Sequence, residues 1–120
     1  MVILDTNMVL RYLLNDVQEM ADEAERRIQA GNASVTIEVI AEAVYILRKV
    51  YGIKNKEIAD LLINFLALAN SSDKEVLRLA LRTYGNRKLD FVDCVLYAYH
   101  KVWGDEIATF DKALKKMLKE

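Results

Sequence analysis

Carboxylates that close short apolar runs are the residues of this sequence with the plainest chemistry. Val2-Ile3-Leu4 is followed at once by Asp5, then by Thr6 and Asn7. Ile107-Ala108-Thr109-Phe110 is followed by Asp111. Asp90 and Asp93 bracket Phe91-Val92, and Glu38 and Glu42 stand four residues apart in a largely apolar run. Each acid has an ordinary structural account, because Asp and Asn favour turns and helix N-caps, and acids favour the first turn of a helix. Together they suggest a shared site. Carboxylates brought close raise one another's pKa unless a cation neutralises them. Oxygen-only donors suit Mg2+ or Mn2+, whereas zinc is usually held by Cys and His. Such a site activates water and offsets the charge that builds on phosphate oxygens, so its natural reaction is hydrolysis of a phosphodiester.

The elements that must position these acids follow from periodicity and caps. The run ending at Leu4 reads as a buried strand of a parallel sheet. Residues 8–14 read as a short apolar helix carrying Arg11. Asp16, with Glu19 three residues on, has the spacing of a capping box for a second helix with Met20, Ala21, Ala24 and Ile28 inward. Residues 33–36 read as a second strand. Thr36 caps a third helix over 37–50, with Ile37, Ile40, Ala41, Val44 and Leu47 inward. Glu38 and Glu42 lie off that stripe on one face, and spacing alone does not choose between them. Asn55 caps a fourth helix with Ile58, Leu61, Leu62 and Phe65 inward. A third strand is placed at 66–69, although the same run would also extend the helix. Ser72 and Glu75 open a fifth helix, and Gly85-Asn86-Arg87-Lys88 makes a basic loop. Asp90 is the N-cap of a sixth helix with Phe91, Cys94, Val95 and Ala98 inward. Residues 106–110 read as a fourth strand, and 112–119 as a last helix. Gly31, Gly52, Gly85 and Gly104 each follow a helical pattern, where a left-handed C-cap is wanted. In a doubly wound sheet, strand ends and helix starts meet along one edge, so Asp5, Asp93, Asp111 and a glutamate of the third helix converge there.

Bulk properties set the frame. The 120 residues suffice for one domain, 1–120, with 53% hydrophobic and 29% charged residues and a net charge of −1. No global positive field draws in a polyanion, so a local patch or a metal ion must do so. Apolar stretches are far shorter than a membrane span, and no basic segment precedes a hydrophobic one, so neither a membrane segment nor a signal peptide is expected. Cys94 is the only cysteine, which excludes an internal disulfide and points to the cytoplasm. His100 reads as a surface or satisfied histidine, and Trp103 and the six tyrosines as packing residues.

Four motifs carry a resemblance. Leu4-Asp5-Thr6-Asn7 with Leu10-Arg11-Tyr12-Leu13-Leu14, Ile40-Ala41-Glu42-Ala43-Val44-Tyr45-Ile46-Leu47, Leu89-Asp90-Phe91-Val92-Asp93-Cys94 and Ala108-Thr109-Phe110-Asp111 stand in the order and at the intervals of PIN-domain nucleases. The chain resembles in particular the VapC-type toxins of toxin–antitoxin pairs, over nearly its whole length. The resemblance selects Glu42 over Glu38 and makes Asp5, Glu42, Asp93 and Asp111 the catalytic, metal-binding acids. It makes Asp90 accessory, and Thr6, Asn7 and Thr109 orienting polar groups. It implies a three-layer α/β/α sandwich around a short parallel sheet, and Mg2+- or Mn2+-dependent endoribonuclease action. It also implies a homodimer and a small antitoxin that blocks the site. Asp5 and Asp93 would hold the principal ion, with Asp111 and Glu42 bound directly, through water or at a second ion. Arg11, Arg82, Arg87 and Lys88 are candidate contacts to RNA phosphates. Relatives often carry a further short strand after the last helix. Nothing after Glu120 supplies it, so a sheet of about four strands with a barer edge is expected.

Three other readings stand beside this one. A nuclease of RNA processing outside a toxin pair has the same residues. A non-catalytic PIN-like module would bind RNA or protein without cleaving. A signalling receiver domain shares the length and the acids at strand ends, but it would have two adjacent acids after the first strand, where this chain has Asp5-Thr6, and a lysine ending a fifth strand.

Overall fold

A computed structural model describes all 120 residues. Strand β1 (Val2–Ile3) pairs in parallel with β2 (Ala33–Ser34), Val2 opposite Ala33 and Ile3 opposite Ser34. The amides of Val2 and Leu4 donate to the carbonyls of Asn32 and Ser34 at 2.7 and 2.8 Å. That register turns the N–H and C=O of Ile3 to the other side, so β1 is an open edge there. The Ile3 side chain is 65% exposed while Leu4 is buried. On its far side β2 meets only Asn70, whose amide donates to the Ala33 carbonyl at 2.8 Å and whose carbonyl accepts from Val35 at 2.9 Å.

Seven helices make up the rest: α1 (Thr6–Leu14), α2 (Gln18–Gln29), α3 (Ile37–Lys49), α4 (Asn55–Leu66), α5 (Lys74–Asn86), α6 (Phe91–Trp103) and α7 (Lys112–Leu118). Helices α3 and α7 begin where the sequence predicts, and α1 begins two residues earlier than expected, at Thr6 and not at Met8. The Thr36 hydroxyl accepts from the Val39 amide at 3.2 Å, Asp5 accepts from Met8 at 2.9 Å and Asp111 from Leu114 at 2.8 Å, each satisfying an otherwise orphaned helix N–H. Gly31, Gly52 and Gly104 take the positive φ expected of them, +82°, +66° and +76°. Asp16 does not cap α2. It binds the Arg11 guanidinium at 2.8 Å, a charge-assisted bond stronger than a cap, and Val17 stands at the N-cap. The Ser72–Glu75 box does not form either, since Asp73 takes the N-cap position of α5.

The sheet differs most from expectation. Residues 66–69 do not form a strand. Leu66 and Ala69 continue the three-and-four spacing of Ile58, Leu62 and Phe65, all buried, so the helical period holds and Ala69 still donates to the Phe65 carbonyl. Only Asn70 reaches β2. Residues 106–110 form no regular element, with Ile107 and Thr109 half-buried and Phe110 99% exposed, and their backbone groups bond to no other backbone. An alternating run becomes a strand only beside a partner edge, and this one joins none. The expected sheet of about four strands is therefore two strands and a single bridge.

One core of 24 buried residues runs through the helices, with Leu4 and Val35 joining it to the sheet. Gly85 corrects the sequence reading most instructively. It lies inside α5, not after it, and a Cβ there would stand 2.8 Å from the Cβ of Ala59 on α4. The glycine serves a close approach of two helices, not a C-cap. Gly85→Ala gains about 1 kcal/mol of helix propensity and loses about 1–3 kcal/mol to overpacking. The expected result is net destabilisation in chemical denaturation. A double-mutant cycle with Ala59→Gly should give a coupling of about 1 kcal/mol or more, and additivity would show that the helices part without cost.

Candidate active site

The four acids fall into two sets. Asp5 and Glu42 belong to the first, joined through Thr6. Thr6 opens α1 with its side chain nearly buried, and its hydroxyl donates to Glu42 Oε1 on α3. Asp5 is exposed at the end of β1, beside a groove of about 650 Å³ shared with Ile3, Met8 and Met20. Asn7 lines the same groove, its amide 4.0 Å from the Met20 sulfur.

Asp93, Asp111 and Asp90 form the second set, on a cleft of about 1240 Å³. Asp90 and Asp93 stand at the start of α6 and Asp111 at the start of α7. Thr109 turns back so that its hydroxyl accepts from the Asp111 amide at 3.0 Å. Burial, and then the charges of Asp111 and Asp90, hold the Asp93 carboxyl above the usual carboxylate range. Cys94, next on α6, is fully buried. Its thiol is pushed up to about 12 by that burial and by Asp93 and Asp90, so at neutral pH it is a small hydrophobe, as its position predicts. His100 is satisfied, its Nδ1 lying 2.8 Å from the Asp105 carbonyl.

Neither Asp5 nor Glu42 lines the second cleft, and no three acid, Cys or His side chains come close enough to share an ion. The donor type suits Mg2+ or Mn2+, but the placement does not supply three protein ligands. The reason lies in the sheet. The convergence was expected along one edge of a sheet of about four strands, and here only two strands and one bridge form while residues 106–110 pair with nothing.

The expected phosphate contacts also divide. Arg11 lies outside the cleft, bound to Asp16 and, at 3.1 Å, to the Tyr51 hydroxyl. Arg82 is exposed on α5 away from it. Arg87 lines the cleft, but both its terminal nitrogens hold Glu120, at 3.2 and 2.6 Å. Lys88 lines it and forms no ion pair. Sequence reasoning passed over Tyr45, Arg48, Lys49 and Lys54, which line the same cleft. The signal was available in part: Tyr45, Arg48 and Lys49 share a face of α3, off its core stripe.

The raised Asp93 pKa has a consequence for stability. Unfolded, this carboxyl loses its proton near the ordinary Asp value, and folded it keeps the proton to higher pH. Between the two values the folded chain binds more protons, so stability falls as pH rises across that interval, and the deficit persists at neutral pH. Asp93→Asn should therefore melt above wild type at pH 7. The difference should vanish at about pH 3, below ordinary carboxyl values. An equal or lower melting temperature at pH 7, read by circular dichroism, would count against the crowding of Asp90, Asp93 and Asp111.

No curated protein and no solved structure matches this chain. A family model described as the PIN domain matches residues 2–119. PIN domains are generally metal-dependent nucleases, often ribonucleases, that typically bind Mg2+ or Mn2+ through acidic residues. Matched over all but its first and last residues, the chain belongs to the PIN domain family.

Proposed function

We propose that this chain, acting as one domain over residues 1–120, is a Mg2+- or Mn2+-dependent endoribonuclease and the VapC-like toxin of a type II toxin–antitoxin pair in the cytoplasm. The observation that carries the reading is the grouping of Asp90, Asp93 and Asp111 on one wide cleft of a PIN domain, with unpaired cations around it. Asp93 and Asp111 would hold the cation from the cleft wall, and Asp5 and Glu42 would act on it only if the chain brought them to the cleft they do not line in this structure. A bound cation would supply neutralising charge and acidify a water there. Thr6 fixes the Glu42 carboxylate, and Thr109 fixes the turn that presents Asp111. The overall reaction adds water across a P–O bond, so one product keeps the phosphate and the other a hydroxyl. A homodimer and a small inhibitory antitoxin complete the proposal, and no helix is long and apolar enough to cross a membrane.

Purified protein incubated with a pool of structured RNAs tests the reading. Cleavage with Mg2+ or Mn2+ that stops in EDTA is the expected result. Silence from pure, metal-loaded protein across varied RNAs would sink it. A second reading then gains ground on one observation, the separation of Asp5 and Glu42 from Asp93 and Asp111: a PIN module that binds RNA or protein without cleaving it.

A further inference from the structure

We infer that Arg87 and Lys101 form an anion site whose resident ligand is the chain's own Glu120, and that a phosphate-bearing ligand displaces Glu120 there and unlatches α7. The inference rests on the nuclease reading, to which it adds a means of regulation. Five ion pairs form in the chain, and four of them join residues three to five apart. The fifth joins Arg87, at the C-cap of α5, to Glu120, 33 residues on and just past α7. Its geometry is a fork on a fork. The two terminal nitrogens of Arg87 donate to the two carboxylate oxygens of Glu120, at 3.2 and 2.6 Å. A guanidinium offers a phosphate the same two parallel N–H groups, so phosphate oxygens fit where the carboxylate sits. Lys101, in the last turn of α6, donates to the Glu120 backbone oxygen, and Lys116 stands in the last turn of α7. Hydrogen bonds from Arg87, and then the charges of Arg87, Lys116 and Lys101, hold the Glu120 carboxyl below the usual carboxylate range. A cation at a helix C-terminus is ordinary taken singly. Here three of them, from the ends of three helices, meet on one anion.

The site is open and its latch is light. Arg87 and Glu120 keep 47% and 41% of their side-chain surface in water, so an outside anion reaches the guanidinium. An exposed pair of this kind is a weak staple, which suits it to exchange. Arg87 also lines the cleft that holds Asp111, and Glu120 does not. Helix α7 runs between Asp111 and Glu120 with only Leu114 and Met117 buried, and no backbone bond holds residues 106–110 before it. An anion that takes Arg87 therefore frees one end of a short helix whose other end carries a cleft carboxylate.

The test is nuclear magnetic resonance of the full chain in EDTA, with three additions compared at equal ionic strength. They are sodium pyrophosphate, a six-nucleotide RNA without terminal phosphates, and sodium chloride. Shifts of the Arg87 side-chain N–H and of the Glu120 carboxyl carbon read displacement, and hydrogen exchange of the α7 amides reads the latch. Pyrophosphate or RNA is expected to move both signals and to speed α7 exchange in wild type. Glu120→Gln should bind the same probe about 2- to 5-fold tighter, the span expected for loss of an exposed ion-pair competitor. It should also show the faster α7 exchange with no ligand added. Arg87→Gln should show fast α7 exchange that no probe changes. The pyrophosphate and RNA arms assign the source, a free phosphate or an internal diester. Equal affinity of Glu120→Gln and wild type, α7 exchange indifferent to every probe, no binding of either phosphate probe, or an equal response to chloride would each overturn the inference. Cleavage of RNA with Mg2+ is read separately. Cleavage by wild type with Glu120-independent phosphate binding discards the latch and leaves the nuclease. Glu120-dependent phosphate binding without cleavage keeps the latch and discards the nuclease.

Discussion

Asp93→Asn is expected to reduce RNA cleavage by at least about a hundredfold in Mg2+ while leaving the chain folded. Even groups that only orient metal ligands typically cost 10- to 100-fold when removed, and Asp93 is proposed as a ligand itself. The substitution keeps the size of the side chain and removes its charge. It therefore tests charge at the start of α6, where burial and the neighbouring Asp111 and Asp90 already hold the carboxyl up. The two readouts should move in opposite directions. Activity falls, and the melting temperature at pH 7 rises. A misfolded variant would lose both, so the opposed result separates a chemical role from a structural one. Glu38→Gln is the contrast. Glu38 lies on α3, outside the cleft, and the variant should cleave as wild type. If Asp93→Asn cleaves as fast as wild type, the assignment of this cleft to catalysis is wrong.

Phe65→Ala is expected to remove about 3–5 kcal/mol of stability. Phe65 sits on α4 with 1% of its surface exposed and meets the Tyr12 ring of α1 at 5.8 Å between centroids, tilted by 59°. The loss combines buried apolar surface, a cavity that rigid helices fill only partly, and an aromatic pair worth about 0.5–1.5 kcal/mol. A domain of this size is stable by only about 5–15 kcal/mol, so the change takes a large share. In urea the midpoint should drop with the slope unchanged. A loss below about 1 kcal/mol would mean that α1 and α4 close over the gap, and that the junction between them is looser than its burial implies.

Much of this molecule was legible where the controlling physics is local. Thr36, Asp5 and Asp111 announce helix starts because each side-chain oxygen needs only the amide three residues on. The buried face of α6 follows from period alone, as do Ile40, Val44 and Leu47 of α3, where Ala43 is buried instead of the expected Ala41, and Val2-Ile3 pairs with Ala33 and Ser34 as a parallel strand should. The failures are places where distant residues decide. A glycine near a helix end looks the same in sequence whether it caps the helix or admits a neighbour, and only Ala59 distinguishes them for Gly85. Residues 66–69 satisfy both a strand and a helix pattern, and burial of Leu66 beside Phe65 settles the matter. Residues 106–110 have a strand's alternation and yet join no edge, although one side of β1 is open. The site shares this character. Sequence and resemblance nominated Asp5, Glu42, Asp93 and Asp111, but which of them stand together depends on how the sheet closes. Tyr45 reads as a packing residue in sequence because nothing within its own helix says that its ring stays in water.

The unpaired stretch before α7 bears on how Asp111 reaches its neighbours. With no backbone bond holding residues 106–110, their amides lack the partners that shield those of α6 and are expected to exchange faster in a hydrogen-exchange experiment. Asp111 is thus held from behind, by the buried Leu114 and Met117 of α7 and by the clasp of Arg87 on Glu120. It is a carboxylate on a tether. Any binding event that draws it inward must also quiet that tether, at about 1–2 kcal/mol of backbone entropy for each residue fixed. Affinity at this site is therefore set partly by five residues that touch no ligand, and stiffening them would tighten binding without a single new contact.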